Sequence, residues 1–222
     1  MYSIKQKGMT LIELTVVLLI LVALAGLALP YVSGTSRKAL CDATDVSMMN
    51  IKQVIMQRYY LDTLGQFPSD SSNANYSLHY LFNAGGRGAF DLDSQVGWHG
   101  PYLQSGITLD ATDISSLDAS FNNNVTYMNK VFVATDIAVL DGWGRPFVLQ
   151  VDSVTSNACT NWGGSTTDGH CARLVSAGSG SGLGLENGSI DTTIAGLKSG
   201  DDRVLYLNMP TPASDINESC SD

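Results

Sequence analysis

Residues 7–14 read KGMTLIEL, and they open an apolar run that continues to residue 29. The only charged side chain within residues 9–29 is Glu13. At about 1.5 Å per residue, a helix of this length extends about 31 Å, close to the thickness of a bilayer's hydrocarbon core. A carboxylate at the centre of a membrane helix costs on the order of 3 kcal/mol, so Glu13 indicates a helix that meets a partner.

The residues that flank the run predict its orientation. Lys5 and Lys7 precede it, and residues 1–8 contain no acidic side chain. Basic residues favour the cytoplasmic side of a membrane, so we expect the amino terminus in the cytoplasm. Arg37 and Lys38 weaken this orientation, because they are also basic and follow the run closely.

Two interpretations of the run need no specific partner. One is a secretory signal peptide, with a basic start, an apolar stretch and a cleavage site after Ala25. The length of the run and the early position of Glu13 stand against it. The other is a plain membrane anchor, in which the Glu13 carboxylate reaches the lipid headgroups.

Gly8 and the MTLIEL that follows it resemble the processing site of type IV pilins and type II secretion pseudopilins. In that family a short basic leader is cut after the glycine, the new amino terminus is N-methylated, and a glutamate occupies the fifth mature position. The resemblance implies that a prepilin peptidase removes residues 1–8 and methylates Met9, which makes Glu13 the fifth residue. Met9 departs from the phenylalanine that is usual there, whereas Pro30 matches a proline that family helices often carry.

The resemblance also implies partners and a location. Subunits of this family stack through their helices, so Glu13 of one subunit is expected to pair with the Met9 amine of its neighbour. A paired charge is tolerated at low dielectric while an unpaired one is costly, so this pair would set the stagger of the subunits. The expected partners are copies of the chain or related pilins, the prepilin peptidase and an inner-membrane assembly platform. The expected location is the bacterial inner membrane, with a single pass and a cytoplasmic amino terminus, and then a periplasmic or cell-surface filament.

Composition and motifs exclude several other functions. The formal net charge is −9, and an acidic surface disfavours non-specific binding to nucleic acid. The sequence contains no nucleophile elbow, no phosphate-binding Walker loop and no His-Glu-x-x-His zinc motif, so we do not predict an enzyme. His79, His99 and His170 are scattered along the chain and are expected to be surface or turn residues.

The four cysteines predict disulfides if the head lies outside the cytoplasm. No Cys-x-x-Cys pair occurs, so the spacings of zinc and thioredoxin sites are absent. Four cysteines allow three connectivities. We favour Cys159 with Cys171, because they bracket a short polar loop, and this leaves Cys41 with Cys220. The alternative is that some of the thiols remain free.

The helical pattern continues beyond the apolar run to about residue 62. Its apolar residues recur at helical spacing, as in a helix that lies on a sheet, and they are Leu40, Met48, Ile51, Ile55 and Tyr59. Pro30 is expected to kink this helix, and Gly65 and Pro68 are expected to end it. One long, bent helix therefore joins the apolar run to the head.

Two segments of the head resemble those of pseudopilins. GPYL at residues 100–103 resembles a segment that follows the long helix in the family, but it lies later here, which predicts an insertion around residues 66–95. DGWGRPF at residues 141–147 resembles the segment that starts the first strand of the head, with Gly142 in place of the usual proline. Strands are predicted at residues 148–151, 173–177 and 202–207.

A calcium site is implied by the same resemblance. Major pseudopilins hold Ca²⁺ between two loops that precede the last strand, and the matching loop here is residues 178–202. Ca²⁺ takes six to eight oxygen ligands, and glycines allow carbonyl groups to turn inward. The alternative is a flexible glycine loop without a metal. The candidate ligands are Glu186, Asn187, Asp191, Asp201 and Asp202.

Together these features predict an α+β, pilin-like fold, in which a long bent amino-terminal helix, membrane-spanning in its first half, packs on a head with a small antiparallel sheet. The predicted function is a structural subunit of a type IV pilus-like filament, either a type II secretion pseudopilin or a type IV pilin. The alternative is a secreted soluble protein with a cleaved signal peptide. The predicted parts are a leader at 1–8, a transmembrane and filament-core helix at 9–30, its amphipathic continuation at 31–62, and a head at 63–222.

Overall fold

The computed structural model describes residues 11–70, 75–122, 124–152, 158–162, 171–180 and 189–220, without the side chains of residues 25–35, 120 and 158. Helical segments dominate the first third of the chain, and short strands the remainder. In chain order the elements are α1 (Leu11–Val54), a π-helical turn (Ile55–Tyr59), α2 (Tyr60–Asp62), a 3₁₀ turn (Leu78–Leu81), β1 (Ile107–Thr108), α3 (Ala111–Ser116), α4 (Ala119–Asn122), β2 (Ile137–Ala138), β3 (Val148–Val151), α5 (Ala158–Asn161), β4 (Ala172–Ser176), β5 (Arg203–Tyr206) and a 3₁₀ turn (Ala213–Asp215).

The predicted fold class is wrong in its first element. No helix among the residues described is both long and apolar enough to cross a membrane.

The helix continues without a break through Pro30, and it departs from α-helical geometry only at Ile55–Tyr59, where the backbone forms a π-helical turn. It ends at Asp62, because Leu64 and Gly65 adopt positive φ values of 55° and 84° and turn the chain away. The Gly65 N–H donates to the Tyr60 carbonyl, which satisfies one of the last carbonyls of the helix.

The second half of α1 and the turn that follows it pack on the head through the predicted stripe. Met48, Ile51, Ile55 and Tyr59 are buried in one apolar cluster. Their spacing of three or four residues places them on one face of the helix. The opposite face carries exposed residues, among them Val46 and Met49.

The head contains two antiparallel sheets where one was predicted. β1 and β2 form a two-stranded sheet, and β3, β4 and β5 form a three-stranded sheet in that order. The predicted positions of the three main strands, β3, β4 and β5, are confirmed to within one residue at each end. The extra pair was not predicted because each of its strands has only two residues, too few for an alternating pattern to be recognised.

The three-stranded sheet separates two apolar clusters. Leu149 and Leu174 face α1, whereas Val148 and Val175 face the second cluster, which includes Trp162. Alternate residues of a strand point to opposite faces, so β3 and β4 are buried on both sides. The sheet is therefore a middle layer between the helix and the long loops.

Asparagine side chains close both edges of this sheet. At the β3 edge, the Val151 N–H donates to Asn129 Oδ1 over 2.9 Å, and Asn129 Nδ2 donates to the Val151 carbonyl over 3.0 Å. At the β5 edge, Asn217 makes the same two bonds with Val204, at 2.9 and 3.0 Å. Each carboxamide replaces one residue of a further strand, so neither edge offers a free pairing site at this position.

The contacts of Gly142 explain why this position does not carry the proline that is usual in the segment that 141–147 resembles. Its N–H donates to Thr44 Oγ1 over 2.9 Å, a bond that proline could not make. A Cβ atom at this position would lie 2.2 Å from the Leu40 carbonyl oxygen. The backbone of the 141–147 segment therefore lies directly against α1.

Charged and covalent contacts fix α1 to the last strand and the carboxyl-terminal tail. Arg203 donates from Nε and Nη2 to the two carboxylate oxygens of Asp45, at 2.7 and 2.5 Å. Lys52 Nζ donates to the Tyr206 carbonyl over 2.6 Å. The disulfide Cys41–Cys220 joins the tail to the helix.

The structure contains two disulfides, Cys41–Cys220 and Cys159–Cys171, which is the connectivity that the sequence favoured. Disulfides persist in oxidising compartments, so these bonds indicate such an environment for the head. The first bond separates its cysteines by 179 residues and the second by 12 residues.

Removing the long-range disulfide is expected to cost more stability than removing the local one. Loop-closure entropy gives about 5 kcal/mol for Cys41→Ser with Cys220→Ser and about 3 kcal/mol for Cys159→Ser with Cys171→Ser. The free energy of unfolding, measured with denaturant on the full chain in detergent and monitored by near-ultraviolet circular dichroism, checks this order. The reverse order would show that strain or residual structure, rather than loop length, governs the two bonds.

Candidate functional site

The amino-terminal part of α1 presents an apolar surface in every direction. The eleven large apolar side chains of residues 11–24 are each between 49% and 81% exposed. Most amphipathic helices have one apolar stripe, whereas a helix that is apolar on all sides is normally surrounded by other apolar groups. We call residues 11–24 the stalk. Such a surface is typical of a helix that apolar groups cover on several sides.

Polar groups are rare on the stalk. The Thr15 hydroxyl donates to the Ile12 carbonyl over 2.9 Å, so it is satisfied within the helix. Glu13 is the one charged residue of the stalk. Gly8 and Met9, the predicted processing site, lie outside the described residues, and Pro30 is described only by its helical backbone.

A second candidate site lies at the entry to β5, where three carboxylates meet. One oxygen from each of Asp191, Asp201 and Asp202 lies within 4.8 Å of the others. These are three of the five predicted calcium ligands. Glu186 and Asn187, the other two, lie outside the described residues.

Asp202 is the most unusual of the three carboxylates, because its exposed fraction is 0%. Its Oδ2 atom accepts hydrogen bonds from the N–H groups of Asp191 and Thr192, at 2.9 and 2.7 Å. Its Oδ1 atom is buried and accepts no hydrogen bond from any residue described. Burial raises the pKa of Asp202 to about 7, although the hydrogen bonds from Thr192 and Asp191 oppose this shift. A buried oxygen without a donor is stabilised by a proton or by a cation.

Glycines bring the backbone close to the other two carboxylates. Asp201 Oδ2 accepts from Ser179 Oγ and from the Gly180 N–H, at 3.0 and 2.6 Å. Gly178 has a φ of +65°, and a Cβ atom there would lie 2.2 Å from the Asp201 carbonyl oxygen. At Gly200 a Cβ atom would lie 2.4 Å from Asp191 Oδ2. The two loops therefore close over the carboxylates only because these positions carry no side chain.

This donor set fits a hard cation such as Ca²⁺. All the side-chain ligand atoms are carboxylate oxygens, which hard cations prefer, and Asp202 Oδ1 has no hydrogen-bond partner among the residues described. Three carboxylates give a minimum of three ligands, and Ca²⁺ requires six to eight. Backbone carbonyls and water would complete the shell. Burial, and then the nearby charges of Asp201 and Asp118, raise the pKa of Asp191, so a cation would relieve repulsion between these groups.

Sequence inspection missed a buried cation beside this site. The Arg173 guanidinium is fully buried and lies 4.2 Å from the Trp162 ring. It donates to Gln150 Oε1, the Tyr206 hydroxyl and the Thr193 carbonyl, at 2.8, 2.9 and 2.7 Å. The only signal in the sequence is one arginine at the start of an apolar strand. Arg173 therefore anchors the loop that carries Asp191.

The histidines show no catalytic arrangement in the part of the chain that is described. His79 Nδ1 accepts from the Ile137 N–H over 2.9 Å, and burial lowers the pKa of His79. His99 stacks on Phe90 with the ring centroids 4.3 Å apart. His170 lies outside the described residues.

If the three carboxylates bind Ca²⁺, the ion should raise the thermal stability of the protein. Saturation at a hundred times Kd stabilises by about 2.7 kcal/mol, which is a shift of several degrees in Tm. Asp201→Asn should remove most of this shift, because an amide binds Ca²⁺ more weakly than a carboxylate. Differential scanning fluorimetry of the full chain in detergent, with and without Ca²⁺ after treatment with chelator, measures both effects.

The matched control is Asp42→Asn, which removes an exposed carboxylate of α1 and should leave the Ca²⁺ shift unchanged. Asp202→Asn is a second variant that removes a carboxylate from the site. Its amide oxygen can still accept the hydrogen bonds from the N–H groups of Asp191 and Thr192. An equal Tm with and without Ca²⁺ in the unmodified protein, together with no bound metal by elemental analysis, would rule out the calcium site.

Comparison with known proteins leaves the function to be inferred from these two sites. No family model, no curated protein and no solved structure matches the chain. The stalk, the carboxylates at the entry to β5 and the two disulfides are therefore the observations on which a function must rest.

Proposed function

We propose that the chain is a structural subunit of a filament of the type IV pilus kind, assembled through its amino-terminal helix. It would serve as a type II secretion pseudopilin or as a type IV pilin. The observation that carries the proposal is the stalk, an apolar helix with one carboxylate that extends from a disulfide-closed head. The processing motif at residues 7–14 supports the same function.

Neighbouring stalks are the proposed cover for this apolar surface. Full burial of one large apolar side chain contributes about 1.5–3 kcal/mol, and the stalk exposes eleven of them. A stalk that is apolar on all sides can be enclosed by several neighbours at once, whereas a single stripe favours a pair. A bundle of stalks surrounded by heads satisfies this requirement.

Glu13 is proposed to set the stagger between neighbouring stalks. Apolar contacts alone are not directional and tolerate sliding of one helix along another. Pairing between the Glu13 carboxylate and the Met9 amine of a neighbour would favour one axial offset, because any other offset leaves a charge buried without a partner. Cleavage after Gly8 is necessary for this pair, since it creates the amine.

The unbroken helix would carry this stagger to the heads. About 28 residues separate Glu13 from Cys41, where the head begins to cover the helix, and they extend about 42 Å. A continuous helix is stiff over this length, so a fixed offset of the stalks gives a fixed offset of the heads. The proposed partners are copies of the chain or related pilins, the prepilin peptidase and the inner-membrane assembly platform. The proposed location of the filament is the periplasm or the cell surface.

Different observations favour a type II secretion pseudopilin and a type IV pilin. The resemblance of the segment around Trp143 to pseudopilins, together with the cluster of carboxylates at the entry to β5, favours a pseudopilin. The size of the head and its disulfides suit a surface pilin equally well. Electron microscopy of surface fibres in a deletion strain separates the two.

The mature protein isolated from its native cells is expected to begin at Met9 with an N-methyl group. The reason is that prepilin peptidases cut after the glycine of this motif and methylate the new amine. Intact-protein and peptide mass spectrometry measure the terminus. A mature chain that begins at Gly26 would identify a secreted protein with a cleaved signal peptide and overturn the proposal.

Glu13→Ala is expected to reduce assembled filament by at least about a hundredfold, because the neighbour's amine loses its partner and an unpaired buried charge costs about 3–5 kcal/mol. The head should still fold and form its disulfides, since Glu13 lies in the exposed stalk. Quantifying sheared filaments against total protein checks the result. Glu218→Ala removes an exposed carboxylate from the tail and should assemble normally. Normal assembly by Glu13→Ala would remove the role of Glu13 in the stagger.

A further inference from the structure

A short loop at the far end of the helix presents an acidic and apolar tip. The Asp91 N–H donates to the Val96 carbonyl over 2.9 Å, and the Gln95 N–H donates to the Asp91 carbonyl over 2.8 Å. Leu92, between Asp91 and Asp93, is 84% exposed. We call Asp91, Leu92 and Asp93 the loop tip. An apolar side chain between two carboxylates is suited to contact with long basic side chains, which have both an apolar stem and a charge.

The loop tip is ordered by its own hydrogen bonds. Asp91 Oδ1 accepts from the N–H groups of Asp93 and Ser94, each over 2.8 Å. The bonds from Ser94 and Asp93 lower the pKa of Asp91, so its carboxylate is charged at neutral pH. Asp93 is exposed, and its carboxylate forms no ion pair with any residue that the structure describes. The tip therefore offers negative charge that the described part of its own head does not neutralise.

The loop is held at a fixed position on the helix. The Gly97 N–H donates to the Asp62 carbonyl over 2.8 Å, and Asp62 is the last residue of α2. Gly97 has a φ of +127°, and a Cβ atom there would lie 2.4 Å from the Ala89 carbonyl oxygen. The close approach of the two sides of the loop fixes the direction of the tip relative to the end of the helix.

A basic pair lies at the other end of the head. Arg37 and Lys38 are exposed on α1, between the stalk and the first residues that the head covers. No ion pair or hydrogen bond joins either side chain to another residue in the described ranges. They are the positive groups of the helix that are closest to the stalk in this part of the chain.

The basic pair cannot reach the loop tip of its own molecule. Arg37 and Asp62 are 25 residues apart on one continuous run of helical turns, which at 1.5 Å per residue is about 37 Å. An ion pair requires about 4 Å between the charged groups. The complementary charges can therefore meet only between two molecules.

We propose that the loop tip of one copy docks on Arg37 and Lys38 of a second copy, displaced along the helix axis. This docking rests on the proposed function, because it is a contact between subunits of the filament. The contact joins two different surfaces, so it is heterologous and leaves a free tip and a free basic pair at the two ends of any row. A heterologous contact that is displaced along the helix axis builds an open row rather than a ring, as a filament requires.

Charge complementarity selects a second copy over a lipid surface as the partner. Anionic headgroups would attract Arg37 and Lys38, but they would repel the carboxylates of the loop tip. A second copy satisfies both surfaces with the same contact. Complementary charge mainly sets orientation and rate of association, so the docking would align heads that the stalks hold together.

The test is a charge exchange in the full chain, expressed in its native cells. Asp93→Lys and Lys38→Glu should each lower the yield of filaments about tenfold, because each places like charges in contact. The double variant should return to within about twofold of the unmodified yield, since the pair is restored in reverse. Asp93 is substituted rather than Asp91, because Asp91 Oδ1 accepts the hydrogen bonds that order the loop tip. Glu218→Lys makes the same charge change on the tail and should assemble normally.

A cross-link locates the contact without any substitution. Carbodiimide joins a carboxylate directly to an amine, so filaments assembled from isotope-labelled and unlabelled copies should give a mixed peptide that links Lys38 to Asp93 or Asp91. Mass spectrometry identifies this peptide. Its presence supports the docking, and its absence from assembled filaments counts against it.

The outcomes separate the docking from the proposed function. If the unmodified chain assembles and Glu13→Ala does not, but the double variant is no better than the single ones, the docking alone is overturned. If Lys38→Glu loses binding to vesicles that contain anionic lipid and Asp93→Lys has no effect on assembly, the basic pair binds lipid and the docking is overturned. If the unmodified chain forms no filament, both the function and the docking are overturned.

Discussion

An apolar helix that extends beyond its own head must be covered, and the organisation of this chain follows from that constraint. The head covers α1 only from about Cys41 onward, through the stripe that contains Met48, Ile51 and Ile55. The stalk remains outside, with its apolar side chains exposed in every direction. The free energy available from covering them is large compared with any single polar contact in the head. Covering the stalk would therefore drive association, and the polar groups would decide its geometry.

Asparagine side chains cap both edges of the three-stranded sheet in the head. An open sheet edge would invite pairing with a strand of another molecule, but Asn129 and Asn217 occupy the edges of β3 and β5. The tail that carries Asn217 is itself held by the disulfide to Cys41 and by the contact of Asp215 with the Tyr206 hydroxyl, at 2.6 Å. The edge is closed by a segment that cannot be displaced easily.

Local patterns predicted much of the head, and non-local contacts account for what they did not predict. The three main strands and the helical stripe follow from hydrophobic periodicity, and the spacing of Cys159 and Cys171 favoured the local disulfide. The membrane-spanning helix was wrong, because no helix among the residues that the structure describes is both long and apolar enough to cross a membrane. The orphaned oxygen of Asp202 and the position of Gly142 against Leu40 depend on segments far apart in sequence. No local pattern records such contacts.

The position of the three carboxylates determines what a bound cation could affect. Asp202 and Arg203 are adjacent at the start of β5, and successive residues of a strand point to opposite faces. Asp202 faces the loops and the cluster around Trp162, whereas Arg203 reaches through the other face to Asp45 of α1. A cation bound to Asp202 would hold the loops against β5, and Arg203 of the same strand binds Asp45 of α1. The stalk contributes no ligand to this cation. The cation would therefore affect the filament only through the stability of the head.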